Sequence, residues 1–351
     1  MMSDRVTRSR AMLVGVLTLW VAAVVEASAA DAADEALIAA AKKEGQVTWY
    51  TTHIIDQVVR LVTEAFRTRY GVRVNYVRGD STEIALRLTN EGKAGRVHAD
   101  VFDATSAMPA IKRAGLVERW LPEAAHRLPP EGRDAEGYWV ATNLFVMAPA
   151  FNTSLVPRGS EPRTWDQLLD ARWKGRMAWA SHGTPSGGAG FVGIVMSELG
   201  QDKGTAYLRR LASQEISPLG GSARAAVDQV IAGEFAIALQ AINHQPVISA
   251  RRGAPVDWIP INPSMAVMSV AGLVKGANNP SAGRLLLEFL ISEEGQQIFR
   301  AAGYIPVDPK VDPIEPRLRP DGKTFRAIFF SPEAIDAAMP GWHQAYKTIF
   351  R

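Results

Sequence analysis

Residues 181–191 read Ser-His-Gly-Thr-Pro-Ser-Gly-Gly-Ala-Gly-Phe, between an apolar strand candidate (Met177 to Ala180) and an apolar helix candidate (Phe191 to Leu199). A turn of glycine and hydroxyl residues that opens a helix presents backbone N–H groups with no intrahelical acceptor. The helix dipole adds a partial positive charge at the same end, so the arrangement suits an anion. Gly187 and Gly188 let a ligand approach the backbone, while Thr184 and Ser186 add hydroxyl donors. A nucleotide loop would need Gly-x-x-x-x-Gly-Lys-Ser/Thr, and no lysine follows here. The chemistry expected is capture of a small anion, not of ATP. The competing expectation is a tight strand-to-helix turn that binds nothing.

The elements that must position such a site alternate along the chain. Gln46 to Tyr50 reads as a strand, followed by Thr51-Thr52-His53 and a helix with Val58, Val59, Val62, Ala65 and Phe66 on one face, ended by Tyr70-Gly71. Val72 to Val77 alternates as a strand and leads through Arg78-Gly79-Asp80-Ser81 into a helix carrying Ile84, Leu86 and Leu88. Ala99 to Phe102 leads through Asp103-Ala-Thr105-Ser106 into a helix from Ala110 to Gly115. Three strand–turn–helix units in a row predict a parallel sheet with helices on its faces. Ligands of such sheets sit beyond the carboxyl ends of the strands, which makes Thr52, His53, Asp80, Ser81 and Thr105 candidates. Each turn alone is ordinary surface, and Asp80 reads equally well as a helix cap.

Near residue 140 the pattern changes. Tyr138 to Met147 is a strand candidate long enough to cross between two lobes, and it carries Asn143. Ser222 is placed to cap a helix from Ala223 to Ala232, and Arg224 in its first turn could grip a carboxylate or phosphonate or lie solvated. The strand Phe235 to Ile242 ends at Asn243-His244-Gln245-Pro246, adding Asn243 and His244 as candidates. Further helices are expected over 281–302 and in the tail, 321–351.

The N-terminus sets the compartment. Arg5, Arg8 and Arg10 precede an apolar run of 15 residues, Ala11 to Val25, and Ala27-Ser28-Ala29 then supplies a cleavage site. This predicts a cleavable export signal over residues 1–29, since the run is short of the roughly 20 residues of a membrane span. The remainder carries 36 basic against 34 acidic side chains, so it has no nucleic-acid footprint. The absence of cysteine removes a lipid anchor, disulfides and thiol catalysis. No Gly-x-Ser-x-Gly or His-Glu-x-x-His motif is present, and a secreted hydrolase is a remote alternative. His53, Asp80, Glu83 and His244 lie too far apart in sequence to signal a metal site, and no cofactor is expected.

Several tracts resemble one family. Pro162-Arg-Thr-Trp-Asp-Gln-Leu-Leu-Asp-Ala-Arg-Trp-Lys-Gly-Arg-Met177 is similar to the mid-chain signature of bacterial extracellular solute-binding proteins of ABC importers. Trp49-Tyr50, Gly79-Asp80, Ala99-Asp-Val-Phe102, Phe151-Asn-Thr-Ser-Leu155 and the stretch Ala282 to Gln297 fit the same family in order, most closely the branch that binds ferric ion, phosphonates and organophosphates. The resemblance implies an α/β type II periplasmic binding protein: two α/β lobes joined by two crossover strands, with the ligand in the interlobe cleft. Lobe 1 would take residues 30–142 and 264–320, lobe 2 residues 143–263, with a C-terminal helical segment over 321–351. It also implies a non-catalytic periplasmic monomer that delivers its solute to an inner-membrane ABC permease or reports it to a sensor kinase. The family's anion-binding turn corresponds to Thr184-Pro-Ser186-Gly187-Gly188, and Ser222 falls at another anion-contacting helix start. Ferric-ion binders carry an adjacent tyrosine pair where this chain has Asn243-His244, so a small anionic solute is preferred and ferric ion is the alternative.

Overall fold

The computed structural model describes residues 34–181 and 183–350, and the expected export signal lies outside them. In chain order, helix α1 (34–44) leads into β1 (Gln46–Thr51), α2 (Arg60–Tyr70), β2 (Arg73–Arg78), α3 (Ser81–Lys93), β3 (Val101–Asp103) and α4 (Met108–Arg113). The long strand β4 (Val140–Asn152) is followed by β5 (Met177–Ala180), α5 (Gly188–Ala212), β6 (Ser217–Leu219), α6 (Ala223–Ile231), β7 (Ile237–Ile242), α7 (His244–Ala250) and β8 (Val256–Trp258). The chain returns through β9 (Ser264–Leu273), α8 (Pro280–Ile291), α9 (Glu293–Ala301) and β10 (Ile305–Pro306), then finishes with β11 (Ala327–Phe330) and α10 (Pro332–Ile349).

The first half forms as its periodicity requires. β1 pairs in parallel with β2 on one side and β3 on the other. α2 stops at Gly71, whose φ of 73° is a left-handed conformation that glycine adopts at little cost. β5, β6 and β7 make a second parallel group. Between the two groups run β4 and β9, antiparallel from Val140 opposite Ala271 to Met147 opposite Met265. The strand order is β2-β1-β3-β9-β4-β7-β5-β6, so every residue path from one parallel group to the other within the sheet passes through β4 and β9.

Two large apolar cores flank these crossing strands, and a smaller third one gathers Ala150 of β4 with Val227, Val230 and Val256. The first gathers Trp49, Phe66 and Phe102 with Leu286 and Phe289, and the second gathers Trp173, Trp179, Phe191, Leu208 and Ile261. The helix expected over 281–302 is divided: Ser292 turns extended and accepts a hydrogen bond from Gly295 N at 3.2 Å, capping α9 afresh. The tail, expected as helix alone, also contributes β11, parallel to β9. Among the described residues no helix is long and apolar enough to cross a membrane.

Candidate functional site

Strand ends bring the first group of side chains together. His53 follows β1, Arg78 is the last residue of β2, Asp103 is the last of β3, and Asn243 and His244 follow β7. Asn143 and Phe145 lie on β4, and Tyr304 stands just before β10, which pairs with β4. The rings are in contact. His244 stacks on Tyr304 (centroids 4.7 Å apart) and on Phe145 (5.7 Å), while His53 meets Tyr304 edge-on at 6.1 Å and Phe299 at 5.3 Å.

Burial sets the charge of these groups. The His53 imidazole is held below its usual pKa by burial, with Asp103 pulling the other way. Burial, aided by Arg224, pushes His244 down to about 3, so both rings are neutral at pH 7. Burial raises the Tyr304 phenol to about 12, with Asp103 adding to the rise and Arg78 opposing it. Asp103 is fully buried: its Oδ1 accepts from the Thr52 backbone N–H at 2.7 Å and from the Thr52 hydroxyl, and it forms no ion pair among the described residues.

Six buried polar atoms on residues of these strand ends and of β4 have no protein hydrogen-bond partner: His53 Nε2, Asp103 Oδ2, Asn143 Nδ2, Asn243 Oδ1, His244 Nδ1 and Gln245 Oε1. Folded proteins leave few such groups. They are half of the twelve such atoms among the described residues, the other six lying on Trp49, Gln214, Trp258, Arg284, Arg319 and His343.

The expected anion turn lies on the same side of the second parallel group. Gln240 Nε2, on β7, donates to Pro185 O at 2.9 Å, and Ser181 hydrogen-bonds Leu219 O at the end of β6. No side chain caps the start of α5 at Gly187, and the Thr184 and Ser186 hydroxyls lie 3.3 Å apart. Gly188 also has a packing role, since a Cβ there would come within 2.5 Å of the Tyr346 ring.

Other candidates have local partners. Asp80 caps α3 in a reciprocal box with Glu83, and Ser81 opens that helix. Thr105 Oγ1 accepts from Val270 N at 3.2 Å. Ser222 caps α6, while Arg224 pairs with Asp228 (2.7 Å) and Ser249 (2.9 Å) at the border of His244. Asn143 accepts from the Thr142 hydroxyl, and Asn243 donates to Leu318 O. Phe145 and Tyr304 carry no local signal in the sequence, whereas Asp103 could have been singled out as a carboxylate ending a parallel strand.

The sequence profile of bacterial extracellular solute-binding proteins matches residues 25–305. This chain belongs to that family. A periplasmic protein of Salmonella paratyphi A, to which 2-aminoethylphosphonate binding is ascribed, is 24% identical over 315 residues, covering 85% of this chain and 84% of its own. Iron-bound HitA from Pseudomonas aeruginosa superposes with a TM-score of 0.71 at 20% identity, covering 85% of this chain and 98% of its own. The periplasmic binding protein AfuA of Actinobacillus pleuropneumoniae, with fructose-6-phosphate bound, gives 0.69 at 18% identity, covering 87% and 98%. The fold is therefore that of a type II periplasmic binding protein, two α/β lobes joined by crossing strands, and this family member is a solute-binding component of ABC importers.

Proposed function

We propose that this family member captures a small organic anion (a phosphonate, phosphate ester or carboxylate) in the cleft and hands it to an inner-membrane ABC permease. It acts in the periplasm as a monomeric carrier, not a catalyst. The lobes divide as 30–142 with 264–320, and 143–263. The observation that carries this reading is the set of six unpartnered buried polar atoms where strand ends of both lobes meet. Each such group costs about 1–3 kcal/mol when left unpaired, so a ligand that supplies hydrogen bonds there gains affinity. Arg78 and Arg224 border the cluster with positive charge, and the uncapped start of α5 adds backbone donors.

Asp103 narrows the class. A buried carboxylate with no cationic partner is compensated by a ligand ammonium. 2-Aminoethylphosphonate, the ligand ascribed to the Salmonella relative, carries an ammonium and a phosphonate. Ferric ion fits less well: among the described residues no three His, Asp or Glu side chains are grouped to hold a metal.

Calorimetric titration of refolded, ligand-stripped protein tests the reading. 2-Aminoethylphosphonate should bind, and ethylphosphonate should bind at least ~10-fold more weakly, the size of one charge-assisted hydrogen bond. Asp103→Asn should narrow that gap. Heat only with ferric citrate would overturn the anion reading, whereas equal binding of the two phosphonates would remove only the role of Asp103.

A further inference from the structure

The C-terminal helix takes no part in the cluster described above, yet it is fastened to both lobes. Polar side chains of its first turns reach the first lobe, while Ile335 in the same turns is buried in the second core. Trp139 Nε1 donates to Glu333 Oε1 at 3.0 Å, and Arg113 bonds both Asp336 oxygens, at 2.6 and 3.4 Å. Trp139 belongs to the first core, and Arg113 ends α4, whose Met108 and Ile111 are buried in that core.

Its last turns hold the second lobe by close packing. Trp342 lies so near Gly193 that a Cβ there would come within 2.4 Å of the indole. Tyr346 and Phe350 meet Trp179 edge-on at 5.6 and 4.8 Å. His343 stands over Gly183 in the anion turn, where a Cβ would come within 3.1 Å of its Nδ1. Pro340 divides the two halves.

The two grips differ in kind. The second-lobe grip is buried aromatic packing, which yields only at large cost. The first-lobe grip is an exposed ion pair, one side-chain hydrogen bond and contact with Thr105–Ala107, with the Arg113 side chain 64% exposed. Exposed pairs are weak, so this end is the one that can let go. We propose that α10 is a strap between the lobes: its first-lobe contacts limit how far the lobes swing apart, and their release accompanies opening. The strap also joins the turn after β3 to the 183–188 turn, since α10 packs on residues Thr105–Ala107 as well as on Gly183 and Gly188.

The chain has no cysteine, so two introduced ones report unambiguously. Spin labels at Lys93→Cys on α3 and Asp202→Cys on α5, both exposed, give the interlobe distance by double electron–electron resonance. In ligand-free protein, Arg113→Asp and Asp336→Arg should each shift the distribution to longer distances by several ångström. The combined Arg113→Asp/Asp336→Arg protein should restore the parent distribution, which loss of packing alone would not do. Circular dichroism confirms that each variant is folded; Glu333→Gln, milder still, should broaden the distribution slightly. Single variants that superpose on the parent, or a double variant that stays long, would overturn the strap.

Discussion

A histidine that stays neutral when buried makes folding sensitive to acid, and this protein has two in one cluster. His53 and His244 are both depressed by burial, His244 to about 3. In the unfolded chain each would take up a proton near pH 6.5. The unfolded state therefore binds more protons below that pH, so stability is complete above about 6.5 and falls below it. The fall is up to ~1.4 kcal/mol per unit for each ring while that ring stays neutral in the fold, which for His244 extends down to about 3. Urea midpoints should fall between pH 7.5 and 5. His244→Phe keeps a ring between Phe145 and Tyr304, removes one titrating group, and should lessen that fall. Equal midpoints for the parent at both pH values would mean that the rings are protonated in the fold. His53 and His244 are legible in the sequence because they follow strands. Tyr304 is not, because it reaches the cluster only when the chain returns through α9, some 160 residues beyond Phe145.

At the scale of elements, the glycines that open α5 do more than expose amides. A Cβ at Gly190 would lie 1.8 Å from Pro185 O, the carbonyl that also accepts from Gln240 Nε2. Gly190→Ala must push the 184–188 turn away from β7, at a cost of about 1–3 kcal/mol, and should weaken solute binding as the turn moves. Gly220→Ala meets nothing within 4 Å and should stay within ~0.5 kcal/mol of the parent. Equal thermal midpoints for the two variants would show that the turn is free to shift. The strand–turn–helix units were readable because strand and helix periods differ and Gly71 ends α2. The break at Ser292 is harder to see, since apolar residues continue through Ile298 and Phe299, although Ser292-Glu-Glu-Gly295 is a capping signal. Gly183 and Gly188 look like turn or ligand residues, and Gly193 like an ordinary helix position, until the distant rings of α10 are placed on them.

At the scale of the whole molecule, the two lobes share their interior. β4 sends Leu144, Val146 and Ala148 into the first core and Met147 and Phe151 into the second. β9 does the same with Ala266, Met268 and Val270 against Met265 and Val267. Two lobes are legible from chain length and from the long strand near residue 140, but this sharing is not, because it depends on which face each crossing-strand residue turns to. The consequence is cooperative: melting one lobe strips the shared strands and uncovers the other core. Differential scanning calorimetry of ligand-free protein should give one transition with calorimetric and van't Hoff enthalpies in a ratio of about 1, unlike the separate steps common in multi-domain chains. Trp342→Ala removes a buried ring of the second core and costs about 3–5 kcal/mol. It should move that single transition downward as a whole. If a low-temperature shoulder split off instead, the second lobe would unfold independently, and the crossing strands would be a tether between two bodies, not a shared core.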